Sequence, residues 1–212
     1  MTISNESRGQ IKKVFEPIAL ALGRLGLTPD GLTVIGFLIT SAGAILVSQQ
    51  LWILGGLVVF MGGVFDMFDG TLARATGKVS PFGAFMDSVF DRWGEAIVYL
   101  GIAWGAVLAG EDVVAVLATA ALGAAFMVSY TRAKSEGLGF SPGTGMAAIG
   151  VMPREIRLVV LSLGLIVAGA TANLTILSAA LVIIAIGAVI TVIQRILQTR
   201  SQAESAPTTT RT

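Results

Sequence analysis

The chain has 212 residues, 54% hydrophobic and 13% charged, with a formal net charge of +1 and a mean hydropathy of +0.83. A soluble domain carries roughly twice that charged fraction, so the composition reads as an integral membrane protein, with room for about six spans of roughly 20 residues each. Dispersed basic residues speak against nucleic-acid binding, and the absence of Cys and His removes disulfides, thiolate chemistry and the commonest general base, leaving Asp, Glu, Lys or Tyr for proton transfer.

The N-terminal MTISNESRGQIKK is polar and does not read as a cleavable signal peptide. Across residues 4–25, Ile11, Val14, Phe15, Ile18, Leu22 and Leu25 recur every three or four positions, with Arg8, Lys12, Lys13 and Arg24 between them. This spacing predicts an amphipathic helix, lying in the membrane interface or packed on protein. Pro17 should break or divide it. Thr28-Pro29-Asp30 leads into a first span at about 31–49, with Asp30 placed to cap it. The second span, about 52–75, carries Asp66 and Asp69 near its end, and Lys78, Ser80 and Pro81 form a turn. The third, about 82–107, holds Asp87, Asp91, Arg92 and Glu95 in its first half, then Gly101 and Gly105 at a spacing that permits close helix packing. A fourth span at about 113–134 precedes a Gly-rich connector at 136–153. The fifth, about 154–170, opens with Arg154 and Arg157, and the sixth occupies about 173–198.

The expected fold is thus an all-α membrane protein with six transmembrane helices and an N-terminal amphipathic interfacial helix. Its divisions are an N-terminal segment (1–26), a six-helix domain (27–198) and a polar tail (199–212) expected to be disordered. The loops near 50, 110 and 171 contain no Lys or Arg, whereas every basic residue except Arg92 lies at or near the other side. The positive-inside rule places that other side, both termini and the four aspartates at the cytoplasmic face.

Those four aspartates organise the chain. Asp66 and Asp69 are three apart, Asp87 and Asp91 four apart, so each pair projects from one helix face. Unpaired charge at membrane depth costs at least a few kcal/mol. Arg74, Lys78 and Arg92 are too few and too ill-placed to neutralise all four acids and bind a substrate as well. Divalent metal answers the need, and all-oxygen ligands favour a hard ion such as Mg2+ or Mn2+.

The stretch from Asp66 to Asp91 resembles the CDP-alcohol phosphotransferase signature D-x2-D-G-x2-A-R-x8-G-x3-D-x3-D, matched by Asp66, Asp69, Gly70, Ala73, Arg74, Gly83, Asp87 and Asp91. The resemblance implies two metal ions held by Asp66, Asp69, Asp87 and Asp91, with Asp91 as the catalytic base. It implies a CDP-lipid site formed by Asp30, Thr33, Asp66, Asp69, Gly70, Ala73, Arg74 and Gly83, and a homodimer. Two readings stay open at several of these positions. Asp30 either caps a helix or approaches the diphosphate. Gly70, Ala73 and Gly83 either leave space for the cytidine ring or pack helices. Arg74 either contacts phosphate or snorkels.

Lys134, Arg154 and Arg195, with Arg132 and Arg157, end three different spans on the basic side. They either serve topology or form an anion pocket for a phosphate monoester. Within the family, Tyr130-x-Arg132-Ala133-x-x-Glu136-Gly137-Leu138-Gly139 and Pro153-Arg154-x-x-Arg157 look like the actinobacterial phosphatidylinositol-phosphate synthases, which join CDP-diacylglycerol to inositol 1-phosphate and release CMP. A phosphatidylglycerol-phosphate synthase using glycerol 3-phosphate is the alternative of the same class. A cation transporter would spread its acids through the bilayer depth, and here they crowd at one end. A structural scaffold has little reason to bury four acids.

Overall fold

A computed structural model describes residues 5–140 and 145–205, with side chains from Phe15 onward except that of Ala147. Among these residues there are seven α-helices, in order α1 (Asn5–Arg24), α2 (Pro29–Ser48), α3 (Trp52–Thr76), α4 (Pro81–Leu108), α5 (Asp112–Gly137), α6 (Arg154–Thr171) and α7 (Thr175–Ser205), and one 3-10 turn at Met146–Ala148. There is no strand among the described residues. Four helices, α2, α3, α5 and α7, are long and apolar enough to cross a membrane. In α4 the charges of Asp87, Asp91, Arg92 and Glu95 interrupt the apolar run, and α6 has only 18 residues and opens with Arg154, Glu155 and Arg157. A rise of about 1.5 Å per residue still makes α4 long enough for the hydrocarbon core.

Helix starts follow local chemistry. Before α2, Thr28 is extended and its hydroxyl accepts the Gly31 amide at 3.1 Å, with Pro29 in the first helical position. Before α4, Ser80 does the same for Gly83 at 2.9 Å, again followed by proline. A Ser or Thr oxygen satisfies an orphan amide, and proline has none to lose. The expected capping role of Asp30 is therefore filled by Thr28, two residues earlier, and the Asp30 carboxylate is left for other contacts.

Contacts between consecutive neighbours close a ring in the order α2, α3, α6, α7, α5, α4 and back to α2. The main apolar cluster of this ring mixes small side chains such as Ala44 and Ala118 with larger ones such as Val59, Ile102, Leu165 and Ile184. Helix backbones meet closely where glycine removes the side chain. A Cβ at Gly43 would fall 2.8 Å from the Val59 amide nitrogen, and one at Gly101 only 2.5 Å from the Ala44 carbonyl oxygen. Gly105 meets Val47 in the same way, so the Gly101/Gly105 spacing is a packing face, as expected. On the outer faces Leu100, Trp104, Val116 and Ile186 are all more than half exposed. Large apolar side chains displayed on every outer helix suit a lipid solvent and not water.

Three expectations need correction. The α1 helix continues through Pro17; proline removes one hydrogen bond, and the packing of Ala19 with Phe15, Leu22, Phe68 and Leu72 fixes the helix on α3. The expected Arg8, Ile11, Lys12, Lys13 and Val14 faces lie outside the described side chains. The tail does not begin at 199, because α7 runs on to Ser205 and carries an Arg200–Glu204 pair of 2.8 Å one turn apart. Residues 206–212 lie outside the described residues. Finally, α5 runs to Gly137, so the connector is shorter than expected and includes the 3-10 turn.

Candidate active site

The closing turns of α3 and the opening turns of α4 bring the acids together. One carboxylate oxygen each from Asp66, Asp69 and Asp87 lies within 4.8 Å of the others. Asp69 is 6% exposed and takes a 2.5 Å hydrogen bond from the Thr33 hydroxyl of α2. That bond fixes the carboxylate's rotamer, and the other oxygen, Oδ1, accepts from the Gly70 amide. Three converging oxygen donors at this separation, with no nitrogen or sulfur among them, fit a hard divalent cation.

The fourth aspartate adjoins this trio through Asp66. Asp91 is one turn further along α4, where its Oδ1 lies 2.6 Å from Arg154 Nη1, in ionic contact but off the line of a hydrogen bond. The same Nη1 donates to Asp66 Oδ2 at 2.8 Å. Arg154 therefore bridges α3 and α4 from the first residue of α6, joining one member of the acid trio to the expected base. Arg92 adds a 3.3 Å contact to the other oxygen of Asp91.

Beside the acids lies a cavity of about 250 Å³ between α2, α3 and α4. It is lined by Asp30, Thr33, Asp69, Gly70, Ala73, Arg74 and Gly83, seven of the eight residues expected at the nucleotide, while the eighth, Asp66, sits in the acid trio. Gly70 and Gly83 have space-making reasons here. The Arg74 guanidinium lies over Gly70, 3.1 Å from where a Cβ would stand, and a Cβ on Gly83 would come 3.3 Å from Asp30 Oδ1. Lys78 and Ser80 line the same cavity; their position in the turn directly between the two signature helices was the available signal.

The expected acceptor cations divide by environment. Arg154 reaches the acids. Lys134 is exposed near the end of α5, and Arg132 pairs with Glu136 at 3.2 Å on the same helix. Arg132 is within electrostatic reach of Asp87 and of Arg195. Arg195 is 4% exposed and donates to two main-chain carbonyls, Ile149 at 3.0 Å and Val128. Arg157 is turned inward, 2% exposed, and grips Glu95. Sequence reasoning placed Glu95 in the third span and gave it no role, although it continues the Asp87, Asp91 series at helical period and Arg157 stands one turn from Arg154.

A profile of the CDP-alcohol phosphatidyltransferase family matches residues 26–193. The chain belongs to that family. The transferase resembles archaetidylinositol phosphate synthase of Pyrococcus horikoshii, 39% identical over 154 residues that cover 73% of this chain and 77% of the relative. It resembles phosphatidylinositol phosphate synthase of Mycobacteroides abscessus, 31% identical over 92% of this chain and 87% of that protein. Among solved structures it is similar to Mycobacterium tuberculosis phosphatidylinositol phosphate synthase with CDP-DAG bound, with a TM-score of 0.79 and 29% identity, covering 94% of this chain and 98% of the other. The same mycobacterial protein in complex with manganese and citrate gives a TM-score of 0.78. The transferase is accordingly a metal-dependent enzyme of the membrane, and its Asp66, Asp69 and Asp87 are the residues whose geometry fits the metal.

Proposed function

We propose that the transferase moves the phosphatidyl group of CDP-diacylglycerol onto inositol 1-phosphate, forming phosphatidylinositol phosphate and releasing CMP. One observation carries the reading: Arg154, a cation suited to a phosphate monoester, touches both Asp66 and Asp91. An acceptor phosphate held on Arg154 has its hydroxyls next to a carboxylate able to take a proton. The names of the relatives add support, because archaetidylinositol and phosphatidylinositol phosphate synthases differ in their lipid and share an inositol phosphate product. Glycerol 3-phosphate, the alternative acceptor, has no such support.

The cytidine and diphosphate occupy the cavity lined by Asp30, Thr33, Gly70, Ala73, Arg74 and Gly83, with Arg74 and Lys78 as the cations nearest the phosphates. Asp66, Asp69 and Asp87, with Asp91 as a further ligand, would hold two divalent ions, Mg2+ or Mn2+, which when bound would supply charge neutralisation at the diphosphate. Asp91 accepts the proton of the attacking inositol hydroxyl. The new bond forms between that oxygen and the lipid-bearing phosphorus, and the bond from this phosphorus to the CMP oxygen breaks. Lys134, Arg132 and Arg195 complete the anion pocket around Arg154, and Arg154 orients the acceptor for in-line approach.

The same reading has α4 and α6 crossing the bilayer with the other four helices, six spans in all, and α1 lying in the interface. Both termini and the active site face the cytoplasm at the plasma membrane, and the enzyme works as a homodimer. The deciding experiment is an acceptor panel. Purified protein with Mg2+ and CDP-diacylglycerol is offered inositol 1-phosphate, glycerol 3-phosphate, free inositol and serine, and CMP is measured. Inositol 1-phosphate should give turnover at least tenfold above the others; faster release with glycerol 3-phosphate would overturn the assignment.

A further inference from the structure

Beneath the Arg154–Asp91 contact lies a second ionic layer between the same two helices. Arg157 Nε and Nη2 donate to Glu95 Oε1 and Oε2 at 2.7 and 2.9 Å, a two-pronged pair whose ends are 2% and 11% exposed. Glu95 is one turn beyond Asp91 on α4, and Arg157 one turn beyond Arg154 on α6. The two layers therefore repeat along the same interface. Only the upper one opens toward the site, with the Arg154 side chain 35% exposed.

A buried ion pair is a weak source of stability, because the cost of desolvating both charges offsets most of their attraction. Its strength is geometric: a planar guanidinium on a carboxylate fixes distance and direction together. The need for such a fix is visible at the start of α6. Its N-cap is Pro153, and no side chain caps the helix. The third arm of Arg157 does not cap the helix but ties down the residue before its N-cap, with Nη1 donating to the Met152 carbonyl at 3.0 Å. The preceding segment is held from α7 as well. The Met152 amide donates to Thr191 Oγ1 at 3.0 Å, and Ile149 O accepts from Arg195. Gly150 has φ +127, and a Cβ there would stand 2.2 Å from Thr191 Cγ2, so no other residue lets the chain pass this closely.

We propose that Arg157, clamped by Glu95, is a positioning residue for acceptor recognition: it sets the depth and rotation of the first turn of α6, and through them the place of Arg154 beside Asp91. Arg157 itself touches no substrate, since three of its five N–H donors are committed inward. The proposal rests on the assignment of Arg154 to the acceptor phosphate. It distinguishes this arginine from Lys134, Arg132 and Arg195, with which it was grouped by sequence.

The test uses the full-length protein in lipid nanodiscs, with kinetics for both substrates. Arg157→Lys keeps the charge and loses the fork. It should raise the KM for inositol 1-phosphate tenfold or more, while the KM for CDP-diacylglycerol stays within twofold. Equal rises in both constants, or an unchanged acceptor KM in folded protein, would overturn the proposal. Should Arg157→Lys fail to fold, Glu95→Gln keeps the shape of the partner and should give the same selective rise; if neither variant folds, the pair is a structural brace and the proposal is wrong. Arg154→Ala is run in parallel, and Arg154→Ala with Arg157→Lys should have the same acceptor KM as Arg154→Ala alone. Multiplying effects would mean that Arg157 acts independently of Arg154. An unchanged acceptor KM in Arg154→Ala alone would remove the acceptor assignment itself, a failure separate from that of the positioning role.

Discussion

The Thr33 hydroxyl donates to Asp69 across 2.5 Å, tying α2 to α3 at the floor of the acid trio. Both residues are nearly inaccessible, Thr33 at 3% and Asp69 at 6%. A threonine outside the signature thus orients one of its aspartates. Outer partners of this kind typically govern metal affinity by 10- to 100-fold. Thr33→Val preserves shape and removes the donor. It should raise the Mn2+ or Mg2+ concentration needed for half-maximal CMP release about tenfold, measured by metal titration of chelator-treated protein.

Asp91 occupies the point where the expected base meets Arg154. Asp91→Asn removes the proton acceptor with little change in volume. A positioned base is worth about 10²- to 10⁴-fold in rate, so CMP release should fall by at least about 100-fold while the protein stays folded and inserted. Turnover near the parent rate would remove Asp91 as base.

Near the end of α5, Lys134 is exposed. As part of the proposed acceptor pocket it makes a charged contact to the phosphate, so Lys134→Ala should raise the KM for inositol 1-phosphate about tenfold or more and leave that for CDP-diacylglycerol unchanged. Charged hydrogen bonds are worth about 1.5–3 kcal/mol, which sets the scale of roughly tenfold or more. Steady-state kinetics varying each substrate in turn decides it.

Away from the site, Gly101 presses on main chain and not on a pliable side chain. A Cβ would meet the Ala44 carbonyl oxygen at 2.5 Å. Gly101→Leu must force α2 and α4 apart, and overpacking of this sort costs about 1–3 kcal/mol or more. The expected outcome is a clear fall in thermal midpoint, with Asp87 of the acid trio, about four turns distant along α4, still binding metal.

Much of this arrangement is legible in the chain itself. Apolar periodicity gives the start and end of α2 to α6 to within about three residues, though it ends α7 seven residues early and divides α1 at Pro17, because lipid forces every backbone polar group into intrahelical bonds and leaves no competing structure. The Asp66, Asp69, Asp87 and Asp91 spacings put the acids on helix faces, since i, i+3 and i, i+4 side chains meet whatever surrounds them. Tertiary packing alone decides which faces meet. Helix period says nothing of the ring order that sets α6 against α3 and α7, so it could not separate Arg154, drawn to Asp66 and Asp91, from Arg157, turned to Glu95. Nor could it show Thr28 displacing Asp30 as the cap, or α1 passing through Pro17. Those outcomes depend on neighbours brought close from distant parts of the chain, where burial and pairing outweigh local preference.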